Sequence, residues 1–320
     1  VSANSSIEWT DATWNPIRGC SKVSPGCTNC YAMHVAARFS GSGQPYEGLA
    51  RRNPTNWTGD VRFVHANASD PLRWRRPRRV FVNSMSDFFH EGVPRQWQDD
   101  LFGVMSLCPQ HTFQILTKRA DVMRDYMTTG STRRRVAETR TRFFAHASSG
   151  ESDIVWPLPN VWLGASIENQ EYADARLPHL VATPAAVRFV SYEPALGPID
   201  WSRWMREMEI FRDADQCGSD LDWIICGGES GQGARPCDVA WIRSAVEQCR
   251  DAGVACFTKQ LGKRPFVAQI DDSDGWPEGT NIRGTPEGWI AELRDPKGGD
   301  PSEWPEDLRV REYPEVHHAG

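Results

Sequence analysis

The sequence predicts an α/β protein, a complete or partial (β/α) TIM-like barrel followed by an irregular C-terminal appendage. Three observations lead there. Seven short apolar runs recur before residue 261, most of them followed by a stretch with helical periodicity. The runs are nearly continuous in apolar residues, as suits parallel strands buried on both faces. Each ends in a polar cluster, and a β/α barrel builds its site at the C-terminal ends of its strands.

The first run, 7–10, is the weakest and leads into a cysteine-bearing loop. Runs at 80–87, 112–118, 161–168, 187–193, 223–229 and 254–260 follow. Between them the spacing predicts amphipathic helices over 95–107, 121–128, 170–180 and 239–252. Two long connections, 40–79 and 129–158, interrupt the repeat as insertions. The barrel is expected to occupy 1–263. From 264 to 320 Asp, Pro, Gly and Trp take over, which reads as an appendage with no further β/α unit.

Composition narrows the class. A chain of 320 residues can bury a full-sized core, and its net charge of −6 advertises no global nucleic-acid field. No apolar run reaches membrane-span length, and the polar segment 1–6 does not read as a signal peptide, so a cytoplasmic protein without a membrane partner is expected. Nine cysteines, an odd number, do not make a secreted disulfide framework. The fourteen tryptophans are expected mainly in core and loop packing. Walker-type, Rossmann and zinc-protease motifs are absent, which disfavours nucleotide hydrolysis, hydride transfer and that protease class.

Cys20, Cys27 and Cys30 fall within eleven residues. Thiolates are soft ligands for zinc, copper(I) or iron-sulfur clusters. With His34 they would form a Cys3His zinc set, whereas alone they would hold a 4Fe-4S cluster with one iron open. The third reading is thiols without metal. The strand ends add Ser84, Asp87, Thr117, Lys118, Ser166, Glu168, Asn169, Glu193, Glu229, Ser230, Thr258 and Lys259. Helix caps and loop polarity account for about half of such residues, but acids and lysines directly after strands point to a site.

A three-cysteine loop after the first strand, followed by an aromatic and a helix (Tyr31 to Ala37), resembles the radical S-adenosylmethionine superfamily. The chain is most similar to an uncharacterised, largely phage-encoded three-cysteine family that itself resembles the superfamily's spore photoproduct lyase-like enzymes. Residues 7–16, the cysteine loop, 81–87, 116–119, 227–231, 297–300 and 302–309 carry the likeness. Two details depart from the superfamily pattern: six residues separate the first two cysteines, and the aromatic follows the last cysteine.

The resemblance implies that Cys20, Cys27 and Cys30 ligate a 4Fe-4S cluster and that S-adenosylmethionine chelates the fourth iron. It further implies an electron donor, action inside a host cell, and modification or repair of a nucleic acid or nucleotide. Ser84 and Asp87 are expected at the cofactor's amino group, Ser166, Glu168 and Asn169 toward its ribose, and Glu193, Glu229 and Lys259 toward substrate. Gly227-Gly-Glu229 follows a late strand, so the amino-group role of the superfamily's Gly-Gly-Glu motif is not carried to it. Cys226 is either a hydrogen-atom donor or a buried core thiol. Arg73-Trp-Arg-Arg-Pro-Arg-Arg79 could contact phosphates, or be solvated arginines leading into a strand. A zinc-stabilised nucleic-acid-binding or phage interaction protein is the alternative function.

Overall fold

The computed structural model describes residues 5–144, 146–147, 149–205, 221–269 and 275–315. Part of the polar N-terminal segment and residues 270–274 and 316–320 of the tail therefore lie outside the described residues. The chain is mixed α/β. Its principal strands are β1 (Ala12–Trp14), β2 (Arg79–Val82), β3 (Thr112–Thr117), β4 (Val161–Ser166), β5 (Val187–Tyr192), β6 (Trp223–Gly227) and β7 (Ala255–Gln260). They lie in one seven-stranded sheet in sequence order. That order, with helices in the crossovers, is compatible with part of a β/α barrel. Among the described residues no helix is long and apolar enough to cross a membrane.

Two compact units divide the described chain, the first taking 5–165 and 178–187, the second 166–177 and 188–315. In the first, β1 to β4 pair in parallel, with Phe81 opposite Gln114 and Gln114 opposite Trp162. The first strand is Ala12–Trp14, not 7–10. Thr10 turns back to donate its N–H to the carbonyl of Ile7, so that segment is a turn, and Trp9 serves as a buried plug tilted against Phe81.

Helices α1 (Tyr31–Arg38), α2 (Arg95–Ser106), α3 (Ala120–Thr128) and α4 (Thr132–Phe143) belong to this unit. Helix α4 lies in the expected insertion 129–158. Although rich in arginine, it docks on α2, because Arg135 pairs with buried Asp99 (2.8 Å) and Arg142 with Asp100 (2.7 Å). The insertion 40–79 is ordered too. Its hairpin, Ala50–Arg52 with Thr55–Trp57, packs on α1 through Ala50 and Trp57, with Tyr46 and Leu49 just before it, and Cys20, Cys30 and Met85 lie against the same cluster.

Strands β5, β6 and β7 are parallel and, apart from Val187, belong to the second unit, as do the first two turns of α5 (Gln170–Val181) and all of α6 (Val239–Ala252). Helix α6 starts on Asp238, whose carboxylate accepts the Ala240 N–H, and stops at Gly253 in the left-handed region. The tail is more regular than its composition suggests. A four-stranded sheet runs Cys237–Asp238, Pro265–Val267, Gly288–Glu292, Asn281–Thr285. Beyond it, Thr258 donates to the Val310 carbonyl and Glu312 to the Cys256 carbonyl, so the chain end covers the open edge of β7.

Two motifs 70 residues apart meet in this unit. A Cβ on Gly228 would sit 2.5 Å from the Leu261 carbonyl oxygen, and one on Gly298 2.3 Å from that of Gly262. The Leu261 N–H donates to the Gly298 carbonyl. These glycines let three backbone segments touch.

Candidate functional site

The cysteine loop leaves β1 through Gly19, whose φ of +93° suits glycine. A side chain there would meet the Asp60 carbonyl at 2.1 Å, so the backbone passes close under the insertion. A bridge between Gly19 and Ser86 prolongs the β1–β2 pairing and sets Cys20 beside the loop after β2. A single 3-10 turn, Pro25–Cys27, reverses the chain, and Cys30 becomes the N-cap of α1. Tyr31 then donates its hydroxyl to the Ser84 carbonyl (2.8 Å), tying α1 to the loop after β2. Asn15 holds that loop from the other side, its Oδ1 accepting from Ser84 Oγ (3.2 Å) and the Met85 N–H (3.1 Å).

All three cysteines are free and half-buried. Burial pushes the Cys20 thiol up to about 12, with the Asp87 carboxylate adding to it and Arg119 opposing. Burial also raises Cys30, against the Met33 and Ala32 N–H groups and Lys118, which favour its thiolate. Each of these two thiols feels the charge of Cys27. Among the described residues no three or more His, Cys, Asp or Glu side chains are gathered as a metal-ion site. His34 lies on the exposed face of α1. The donor set nevertheless fits a group that takes three thiolates: soft sulfurs on one loop, a helix N-terminus behind one of them, and Lys118 and Arg119 near.

Beside Cys20 stands a buried network. Asp87 Oδ1 accepts from Thr117 Oγ1 (2.6 Å) and the Phe89 N–H (3.0 Å), while Oδ2 accepts from the Lys118 N–H (3.1 Å) and Arg119 Nη1 (2.9 Å). Arg119 also reaches Glu91 (2.5 Å) and Ser21 Oγ (2.6 Å). Burial opposes ionisation of Glu91, but the Arg119 hydrogen bond outweighs it and holds the carboxyl at about 2. Burial, and then Arg119, keep His90 below its ordinary range. His90 Nδ1 accepts the Gly92 N–H, so in the neutral ring Nε2 carries the proton and donates it to Ser21 Oγ (2.9 Å). Ser21 in turn donates to Glu91 (3.1 Å).

Arg119, Glu91, Ser21, His90 and Asn15 were not candidates from sequence. Asn15, Ser21 and Arg119 do fall in the stretches that carry the family likeness, and Arg119 is also a charged residue just past a strand end, whereas Glu91 and His90 carried no signal. Asp87, expected to face a cofactor amine, has both oxygens satisfied by protein donors.

The other candidates belong to the second unit. Glu168 is fully buried and ion-paired to Arg176 (2.9 Å), which also donates to the Ser166 carbonyl (2.6 Å) and stacks on Tyr172. Asn169 caps α5 by accepting the Tyr172 N–H (3.2 Å). Glu193 pairs with Lys259 (2.9 Å) and accepts from Ser191 Oγ (3.2 Å). Gly227 leaves the room this needs, since a Cβ there would lie 2.8 Å from a Glu193 oxygen. Glu229 is held by Arg235, whose Nε donates at 3.1 Å. Cys226 is fully buried, and the neighbouring Cys256 together with burial pushes its thiol well up.

The arginine stretch 73–79 leads into the N-terminal end of β2, whereas the cysteine loop leaves the C-terminal end of β1, its parallel neighbour. The two therefore mark opposite ends of the sheet. Arg73 pairs with Asp70 and Arg79 with Asp11 (3.2 Å), while Arg75 and Arg76 are exposed.

A family model described as a protein of unknown function (DUF5131) matches residues 4–295. No curated protein and no solved structure matches the chain.

Proposed function

The chain belongs to the DUF5131 family, whose description carries no activity, and from its cysteine centre we propose that it is a radical S-adenosylmethionine enzyme on a partial (β/α) barrel with a C-terminal appendage. One observation carries the reading. Three free cysteines share one loop at the C-terminal end of a first parallel strand, with Cys20 and Cys30 lodged against the apolar cluster of α1 and the hairpin.

Cys20, Cys27 and Cys30 would hold three irons of a 4Fe-4S cluster, leaving the fourth to the cofactor's amine and carboxylate. Bound there, such a cluster and cofactor would supply one-electron radical chemistry at a substrate C–H bond. The chain's own residues position and shield. Tyr31 and Asn15 fix the loop bearing Ser84, leaving Ser84 as the residue of that loop assigned to the cofactor. Asp87 and Arg119 fix the ends of β2 and β3 beside Cys20 and so act as positioning residues. The hairpin of the insertion keeps water from the Cys20 and Cys30 sulfurs. A nucleic acid or nucleotide is the proposed substrate class on the family resemblance alone, since the exposed Arg75 and Arg76 stand at the opposite end of the sheet from the cysteine loop.

The test is iron, sulfide and zinc content after anaerobic reconstitution, with electron paramagnetic resonance of the reduced sample. Roughly four irons per chain, with a spectrum perturbed by S-adenosylmethionine and retained in a His34→Ala variant, is the expected result. One zinc lost with His34 and no cluster would overturn it.

A further inference from the structure

A cleft of about 300 Å³ opens in the second unit, where the chain leaving β7 meets the four-stranded sheet of the tail. Five charged side chains line it, Lys263, Arg264 and Arg283 against Glu292 and Asp295, with Ile290 among the apolar ones. Both acids are engaged. Glu292 accepts from Arg283 Nε (3.0 Å) and Asn281 Nδ2 (2.6 Å), and Asp295 accepts from the N–H groups of Lys297 (3.1 Å) and Gly299 (2.7 Å). Glu229 and Glu303, whose oxygens accept the Lys263 and Asp295 N–H groups, are paired with Arg235 and Arg294. Lys263 and Arg264 are exposed and have no ion pair among the described residues.

The backbone bearing these two cations is pinned on both sides. They stand three and four residues past the C-terminal end of β7. The Lys263 N–H donates to the Glu229 carbonyl (2.7 Å), and the Arg264 carbonyl accepts the Cys237 N–H (3.0 Å). Two residues before Lys263, the glycine crossing ties the Leu261 N–H to the Gly298 carbonyl (2.9 Å). A pinned wall loses less freedom when it grips a ligand. Open parallel sheets bind ligands beyond the C-terminal ends of their strands, and this cleft lies there. Single exposed cations are ordinary, but folding does not require two unpaired ones beside a third in one concavity.

We propose that this cleft holds a phosphodiester group of a single nucleic-acid strand, with Lys263 and Arg264 as its ligands. The anion follows from the geometry, and its belonging to a nucleic acid rests on the substrate class proposed above. Three cations against two carboxylates leave one positive charge, the complement of one phosphodiester. Arg264 offers a planar fork to two phosphate oxygens, and Lys263 adds a point charge. An acidic protein segment fits less well, because it would bring several carboxylates against Glu292 and Asp295. The tail thereby gains a role, as one wall of a strand-anchoring site.

The experiment is binding of labelled single-stranded DNA and RNA decamers to the full chain, read by fluorescence anisotropy across a salt series. The double variant Lys263→Gln, Arg264→Gln is compared with Arg134→Gln, Arg250→Gln, which removes the same charge from exposed positions elsewhere. The expected result is a fall of about tenfold or more in the first variant, with the logarithmic salt slope reduced by about 1.4 for two single-strand contacts, and an unaltered slope in the second. In the unaltered chain, bound decamer should also protect Lys263 from amine acylation, read by mass spectrometry, which needs no variant to fold. No binding at low salt overturns the proposal, as do equal losses in the two variants or undiminished labelling of Lys263. Tighter binding of an acidic decapeptide, lost in the first variant, overturns it in favour of a protein partner. Decamer binding that appears only when Asp271, Asp272 and Asp274 are changed to asparagine overturns it in favour of an internal ion pair. Iron content of every sample separates the two readings. Roughly four irons without strand binding removes the cleft and keeps the cluster, while strand binding at Lys263 and Arg264 in a chain that takes up no iron keeps the cleft and removes the cluster.

Discussion

Replacing Asp87 with asparagine should destabilise the first unit before any effect on cofactor affinity can be read. Asp87 and Arg119 have side chains only 8% and 7% exposed, so each is the other's main compensation for lost water. Asparagine keeps the shape and one acceptor, which can still take Thr117 Oγ1 and the Phe89 N–H. Its amide nitrogen then faces the Lys118 N–H and Arg119 Nη1, two donors against a donor. Breaking one side of a buried pair costs about 3–5 kcal/mol, and the remaining Glu91 and Ser21 contacts of Arg119 place this case at the low end. At about 2–4 °C per kcal/mol for a unit of this size, about 3 kcal/mol lowers the melting temperature by roughly 6–12 °C. The assay is thermal unfolding of the metal-free chain at pH 7, followed by iron retention after reconstitution. A variant melting within about 2 °C of the parent, well short of that shift, would refute the network as a structural keystone and return Asp87 to the cofactor.

Four further outcomes are expected. Glu91 has a folded carboxyl at about 2 against an ordinary 4.5, so its stabilisation is present above about 4.5 and fades as pH falls toward 2. Because its side chain is 63% exposed, Glu91→Gln should cost under about 1 kcal/mol at pH 7, and urea midpoints of the pair should converge only as the pH falls to about 2. In the metal-free chain, Cys20 alkylation followed by mass spectrometry should still be rising about tenfold per pH unit at pH 9–10, since its thiol stands at about 12; a plateau below pH 9 would contradict its burial. Gly298→Ala should lower stability by roughly 2–4 kcal/mol in urea, from positive-φ strain and the close Gly262 carbonyl, and an unchanged midpoint would dissolve the glycine crossing. If Arg75 and Arg76 touch phosphates, the double alanine variant should reduce the logarithmic salt slope of DNA binding by about 1.8, and an unaltered slope would detach that stretch from any substrate.

What the sequence reveals depends on how far apart the cooperating residues lie. Helices α2, α3, α5 and α6 fall within a residue of their expected bounds because their apolar period is local. The strands after the first are equally local, as nearly continuous apolar runs. The first was misplaced because Ile7 and Trp9 look like a strand by composition, while the β1 run is only three residues and alternates with polar Thr13 and Asn15. Helix α4 was missed for a related reason: its arginines mask an apolar face of Val136 and Ala137, and what docks it is the ion pair to Asp99, 36 residues away.

The candidate site divides along the same line. The cysteine loop announces itself, since its chemistry is packed into one short segment. The roles of the acids do not. Glu168, Glu193, Glu229 and Asp87 all stand after strands, and all four are satisfied by a cation: Arg176, Lys259, Arg235 and Arg119. Two of those cations lie within eight residues of their acid, where a helix or turn can bring them back, and two come from a neighbouring or more distant strand end. A strand end is where a barrel builds its site, but it is also where the hydrogen-bonding of a parallel sheet stops and where buried acids need partners. Charge placed directly after a strand therefore indicates a demand for electrostatic closure at least as much as one for chemistry. In the first unit that closure adjoins Cys20, and the Asp87–Arg119 pair is the point at which the stability of the sheet end and the setting of the cysteine centre become a single measurable property.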